Sequence, residues 1–452
     1  FLKAGEKAAK VYANSEAASY FQSALKLLEE KEGELREKGQ VLEKLGKIKN
    51  IIGERDACMK YWNDALLLWN QLNEKEKVSR LHRQMAMVIY EMGDMVKAKE
   101  SVEKALKTLE TEPESVELAR AYVLMAGGLW ATGSMAEALS WAEKALKLAE
   151  KLKDFEAIAD SYVRLGTISG TIGDQKKGIE CLEKALKMAL DKGYTEIALR
   201  TYNNLAVSLP EEENERRLEC YDNGLELAKK AGHISFQSWI GGNLAEMYID
   251  MGNMNKAVLL AEESVALDRK TGNMLHLSFS LGSLGFVYQV LGEWDKTEQF
   301  YQEASRLSFT ISQRLTDVQS TAYSYSNIGL LHFDKGEYAK AREFFEKAYE
   351  VSEKAGAKSR QMWVAGYLIW VYIELGEFDK ARNLLDSLDQ FALEIKSKSL
   401  TAKADALRAM LFRAQKRWEE SIEHFEKSLQ EYEALNARRW NVYWFARMVL
   451  CE

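Results

Sequence analysis

The sequence predicts an all-α solenoid of about ten antiparallel helix pairs, and three observations carry that prediction. Only two prolines, Pro113 and Pro210, occur in 452 residues, and Ala, Leu, Glu and Lys dominate, which is the composition of long uninterrupted helices. A glycine followed by an alanine-marked segment recurs at Gly53, Gly93, Gly133 and Gly173, and again at Gly252, Gly292, Gly336 and Gly376, mostly forty residues apart. Eight and seven residues before each glycine stand a large apolar residue and then a small one, as in Leu45-Gly46, Met85-Ala86, Leu165-Gly166, Leu284-Gly285 and Ile328-Gly329.

Taken in order, the first visible copy is VYANSEAASYFQSAL, about forty residues before Gly53. Between Gly173 and Gly252 lies a degenerate copy, at about 196–231, containing LPEEENERRLECYDNGL. There a glutamate at 212 or 213 replaces the turn glycine and about one residue is missing. The interval from Gly292 to Gly336 is 44, and the four extra residues amount to about one helical turn near 306–320. After Gly376 another copy turns at Lys416 in AQKRWEESIEHFEKSL, and ARRWNVYWFARMVLCE reads as the first helix of a further unit. The whole of 1–452 is thus expected to be one solenoid. It opens in mid-pattern with FLKAGEKAAK and no initiator Met, the expectation for a segment of a longer protein.

Within a unit, the large residue before the turn fills the core and the small one lets the second helix come close. The second helix carries small side chains five and twelve residues after the turn: Ala98 and Ala105, Ala138 and Ala145, Gly178 and Ala185, Ala341 and Ala348. Seven residues make two turns on one face. Bulky groups such as Trp62, Trp141, Tyr301 and Phe345 lie between, at the spacing of knobs over small-residue holes. Each pair buries one face internally, and stacking buries the rest.

Segments such as NLAEMYIDMGNMNKA and NIGLLHFDKGEYAKAREFFEKAYE resemble the tetratricopeptide repeat in a forty-residue form. The resemblance covers nearly the whole chain. It implies a right-handed superhelix and a non-catalytic scaffold or sensor that binds a protein or peptide on its concave face. Lys49 and Ser169 depart from the pattern where an aromatic is usual, as do Ile369 and Leu388 where small residues are usual. The opening AGEKAAKVYANSEAASYFQSALKLLEE further resembles the junction at which STAND-type signalling ATPases, some adenylyl cyclases among them, pass into a repeat region. That likeness implies a sensor arm in signal transduction, with self-association through a missing ATPase module.

Catalytic chemistry is not expected. GDQKKGIE has the spacing of a GxxxxG loop, but Ile179-Glu180 stands where a phosphate loop needs Lys and Ser/Thr. The histidines at 82, 233, 276, 332 and 424 form no paired metal spacing, and no nucleophile setting appears, so neither metal nor cofactor is expected. Cys58, Cys181, Cys220 and Cys451 lack a CxxC spacing and read as small apolar residues of a reducing, cytoplasmic compartment. A net charge of −7 gives no basic field for nucleic acid, and no apolar run is long enough to span a membrane.

If the first helix of each pair lines the inner surface, residues 13, 10, 6 and 3 before each turn point into the groove, because steps of 3, 4 and 3 keep one face. In the first half this stripe includes Arg80, Arg120 and Arg200, which could receive acidic groups. In the second half it offers Trp239, Phe279, Phe286, Tyr323, Leu330, Phe333, Trp363 and Trp370, with an aromatic one turn from a Gly or Ser in each unit. Asn204, Asn243 and Asn327, nine residues before their turns, correspond to the place where similar peptide-binding adaptors contact the ligand backbone. Two readings of the aromatics stay open, an exposed groove and packing against the neighbouring repeat in a tightly wound superhelix. Two ligand classes stay open as well, a protein or peptide and a small metabolite or oligosaccharide.

Overall fold

In the computed structural model, which describes residues 1–30, 33–314 and 318–434, the chain is all-α. The described part of the C-terminal stretch ends at 434, so the further helix expected after it, and Cys451, lie outside the described residues. Eleven antiparallel pairs follow one another among the described residues: α1 (Leu2–Lys10) with α2 (Asn14–Glu29), α3 (Leu35–Ile51) with α4 (Arg55–Gln71), α5 (Lys75–Glu91) with α6 (Met95–Leu109) and α7 (Val116–Ala131) with α8 (Met135–Leu152). Next come α9 (Phe155–Thr171) with α10 (Gln175–Lys192), α11 (Thr195–Ser208) with α12 (Asn214–Ala231), α13 (Ile234–Asp250) with α14 (Met254–Thr271) and α15 (Met274–Val290) with α16 (Trp294–Arg314). The last are α17 (Val318–Asp334) with α18 (Tyr338–Lys354), α19 (Lys358–Glu374) with α20 (Phe378–Glu394) and α21 (Lys398–Ala414) with α22 (Trp418–Ala434). The extra turn expected near 306–320 appears as a longer second helix, the 21-residue α16.

Eight of the eleven described pairs turn at a glycine of positive φ. At Gly173 the backbone takes φ +99°, a conformation that costs a side chain but not glycine. The Asp174 amide then donates back to the Ser169 carbonyl at 2.9 Å, and the Asp174 carboxylate accepts from the Lys177 amide to start α10. The degenerate copy solves the turn differently. Pro210 forces Leu209 into an extended conformation (ψ 141°), which ends α11, and a 3₁₀ turn at Glu211–Glu213 leads into α12.

Packing within pairs follows the small-residue columns. A Cβ placed on Gly285 would lie 2.5 Å from the Tyr301 ring, and one on Gly329 2.7 Å from the Phe345 ring, so these aromatics fill the hollows left by the glycines. Tyr301 and Phe345 are sealed from solvent, as are Ala105, Ala145, Ala185 and Ala348.

Successive turns of the superhelix also touch. α5 packs on α15, α6 on α16 and α9 on α19, each five pairs further along the chain. At this seam Gly53 meets Thr271, Gly133 meets Ala355 and Gly173 meets Phe391, at distances where a Cβ would collide. Polar bonds cross it as well: Tyr12 with Thr195 (2.9 Å), Arg55 to Ser235 (3.2 Å), and Ser359 to the Gly170 carbonyl (2.9 Å). The coil therefore closes on itself and encloses its axis.

Candidate ligand channel

The first helices of the pairs surround a cavity of about 2070 Å³. One column of side chains lines it from end to end. Nine residues before each turn stand Gln84, Leu124, Arg164, Asn204, Asn243, Ser283, Asn327 and Tyr367, and every one faces the cavity. The residues thirteen before the turns, Arg80, Arg120, Asp160, Arg200, Trp239, Phe279, Tyr323 and Trp363, do the same.

The aromatics of the second half both line the cavity and tie one repeat to the next. Trp239 lies 5.3 Å from the His276 ring of the following repeat, and Phe279 lies 5.1 Å from Tyr323. Trp363 packs within its own helix, 5.0 Å from Tyr367, and Phe286 and Leu330 complete the apolar wall. The two readings left open by the sequence thus describe the same rings, half-buried by a neighbour and open on the other face.

Two expected groove residues belong elsewhere. Trp370 is only 4% exposed, packs edge-on to Phe333 at 4.9 Å and donates from Nε1 to Glu374 at 3.1 Å. Neither Trp370 nor Phe333 reaches the cavity, and both join the layer between helices. Phe333, three residues before its turn, falls off the lining face, which in the second half runs from position 13 to 9 to 6; Trp370 stands at position 6 but is held between Phe333 and Glu374 instead. The expected small-residue hollows are also occupied. A Cβ on Gly282 would lie 2.7 Å from Tyr323, and one on Gly366 2.5 Å from Lys403, so these positions seat the next repeat's side chains.

The asparagines form part of the wall. Asn243 donates to Asn203 at 2.7 Å and Asn204 donates to Thr167 at 2.9 Å, linking α13, α11 and α9. Asn327 is buried beside Gly282. The three arginines expected to receive acidic groups already hold some. Arg80 pairs with Glu43 at 2.9 Å, Arg120 with Glu156 at 2.7 Å and Arg200 with Asp160 at 2.6 Å, each between neighbouring repeats.

Sequence reasoning missed Arg164, Ser283, Arg360 and Tyr367 as candidates, whereas Glu246, six residues before Gly252, lies on the expected groove face and does line the cavity. The signal was present in the asparagine column, whose register includes Arg164, Ser283 and Tyr367. Glu246 accepts from Ser283 at 2.5 Å and from the Tyr323 hydroxyl at 3.2 Å, while burial pushes its carboxyl above the usual range. The thiols of Cys58 and Cys220 are pushed up by burial to about 12 and about 11, which keeps them protonated. Among the described residues, no group of three His, Cys, Asp or Glu side chains could hold a metal ion, and no helix is long and apolar enough to cross a membrane.

The sequence profile of the tetratricopeptide repeat matches residues 77–151, 117–191 and 320–387. Over residues 77–191 and 320–387 the chain matches tetratricopeptide repeats. Comparison with curated proteins gives no match. Among solved structures, the chain is similar to a Rap protein complexed with competence and sporulation factor, at 11% identity and a TM-score of 0.51, over 75% of this chain and 98% of that one. It is also similar to the apo form of the quorum sensor NprR from B. thuringiensis, at 13% identity and a TM-score of 0.48, over 78% and 98% of the two chains. A human IFIT1 dimer aligns at 16% identity with a TM-score of 0.43, over 87% of this chain and 90% of that one. At these identities the likeness to Rap is one of fold.

Proposed function

We propose that the enclosed channel binds a peptide and that the chain acts as a non-catalytic sensor or scaffold. One observation carries this reading: a cavity of about 2070 Å³ whose wall combines aromatic rings, side-chain amides and arginines. That is about twice the ~1,000 Å³ at the upper end of ordinary small-molecule sites, which favours an oligomeric ligand over a single metabolite. The wall amides Gln84, Asn204, Asn243 and Asn327 each carry a donor and an acceptor, the complement of a peptide backbone, and half-exposed rings give contact area at low entropic cost. The Rap protein of similar fold was solved with competence and sporulation factor, which supports the same reading. The resemblance of residues 4–30 to the STAND junction supports placing this sensor in a larger signalling ATPase.

The test is a pair of tryptophan variants measured against fluorescein-labelled random octapeptide pools. Trp363→Ala, in the cavity wall, is expected to weaken binding by about 2 kcal/mol or more with little change in melting temperature. Trp370→Ala, in the layer between helices, is expected to lower stability instead, by about 3 kcal/mol or more. Wild-type protein that binds no pool, or equal binding losses from two equally unfolded variants, would remove the channel as the site.

A further inference from the structure

Arginines along the first half of the wall are neutralised one by one. Arg80 meets Glu43, Arg83 meets Glu117 at 3.2 Å, Arg120 meets Glu156, and Arg200 meets Asp160. Of the three other guanidinium groups among the described residues of the wall, Arg217 donates to the Ala206 carbonyl at 3.2 Å and to Asn214 at 3.1 Å, and the remaining two break the pattern.

Arg164 has no carboxylate within 4.0 Å among the described residues, and its Nε is sealed from solvent with no acceptor. Its guanidinium lies over Gly127, where a Cβ would come within 2.7 Å, so glycine there makes room for the charge against the α7 backbone. Asp160, one turn earlier on α9, is taken by Arg200. Burial first, and then the nearby Arg200 charge, push the Arg164 guanidinium down to about 10.

Arg360 is the second. Its guanidinium carbon sits 5.5 Å from the ring centres of both Tyr323 and Trp363, and it makes no ion pair among the described residues. Glu246 attracts it from a distance without closing an ion pair within 4.0 Å, its carboxyl accepting instead from the Ser283 and Tyr323 hydroxyls. Both arginines line the cavity.

Both side chains are part-buried, and a cation partly withdrawn from water without a partner carries a cost that an arriving anion offsets. The planar fork of a guanidinium takes a carboxylate through two parallel hydrogen bonds, and the rings beside Arg360 hold that fork in one plane. We propose that the channel selects an acidic peptide, two of whose anionic side chains dock on Arg164 and Arg360. This rests on the peptide-binding reading above.

The experiment uses the full chain and four fluorescein-labelled octapeptide pools of matched apolar content, carrying two Glu, two phosphoserine, two Gln or two Lys. The Glu pool, the phosphoserine pool or both should bind at least tenfold more tightly than the Gln pool, with the Lys pool weakest, and the first two pools tell carboxylate from phosphate. Arg164→Gln and Arg360→Gln should each weaken the preferred anionic pool about tenfold and leave the Gln pool unchanged, because only charge-assisted bonds are lost. Melting temperatures read alongside should not fall for Arg164→Gln, which removes an unpaired charge. Equal binding of all pools, or variants that keep the acidic preference, would overturn the charge assignment alone. Failure of every pool on the wild-type protein would overturn the peptide reading with it.

Discussion

The side-chain amide of Asn14 donates to the carbonyl of Ala231 at 2.8 Å, across 217 residues of chain. Ala231 is the last residue of α12, so its carbonyl has no acceptor role within its own helix and would otherwise stay unsatisfied. Asn14 begins α2, in the first pair. The bond therefore fastens the start of the coil to its sixth pair, beside the Tyr12–Thr195 contact. An open solenoid is held by nearest neighbours only, whereas this coil adds a second set of contacts between its turns.

Replacing Asn14 by Ala strips that carbonyl of its donor at a position only 9% exposed. The expected loss is about 1–3 kcal/mol, confined to the elements at this seam. Hydrogen exchange should quicken in α1, α2 and the end of α12 and stay unchanged in α18 to α20. Uniform acceleration along the chain, or none, would show that the seam bond does not hold the turns together.

Two glycine substitutions should move stability in opposite directions. In Gly285→Ala the new Cβ would sit 2.5 Å from a Tyr301 ring that is 1% exposed and bonded to Gln289, so it cannot step aside. A loss of about 1–3 kcal/mol is expected from overpacking. In Gly128→Ala nothing lies within 4 Å, and alanine in mid-helix should add about 0.5–1 kcal/mol. Denaturant unfolding of the two variants beside wild type checks both signs.

The pairing of helices was legible because the turn glycines and the Gly285–Tyr301 type of contact are local, recurring at a fixed interval. In the degenerate copy the interval pointed to a glutamate at 212 or 213, and the structure has a 3₁₀ turn at Glu211–Glu213 there. The face each first helix turns inward was less legible. Trp370 and Trp363 differ by two turns on one helix, yet one is core and the other wall, because α19 packs against its own partner, its neighbours and also α9 from the previous turn. A helix buried on several sides carries no single polar stripe, so amphipathic spacing cannot orient it. The seam itself was invisible: Leu275 packs with Tyr90 and Trp130, far apart in sequence, and no repeat pattern records that contact.

Lys416 occupies the turn of the last described pair with φ +62°, where Gly336 and Gly376 hold φ +74° and +75° in the pairs before it. A lysine in the left-handed region carries a steric cost that glycine lacks, about 1 kcal/mol. Lys416→Gly should therefore stabilise the α21–α22 pair by about that much, and Gly376→Ala should destabilise its own pair by a similar amount. Slowed amide exchange across α21 and α22 in the first variant is the expected result. Unchanged or faster exchange would mean that the lysine side chain contributes more than its backbone conformation costs.

Asp268 on α14 is fully shielded from solvent and accepts from the Ser280 hydroxyl at 2.6 Å. Burial lifts its carboxyl above the usual aspartate range, although the charges of His276 and Arg55 pull the other way. A carboxyl that holds its proton more tightly when folded favours folding most at low pH. As the pH rises past about 3.9 the unfolded chain gives up its proton first, and stability falls until the folded carboxyl ionises too. Asparagine keeps the acceptor for Ser280 and never carries the charge. Asp268→Asn should thus raise the melting temperature at pH 7 and change it little at pH 3.5, below the ordinary aspartate range. A variant less stable than wild type at pH 7 would mean that the ionised carboxylate is stabilised inside the coil, with His276 and Arg55 outweighing the loss of water.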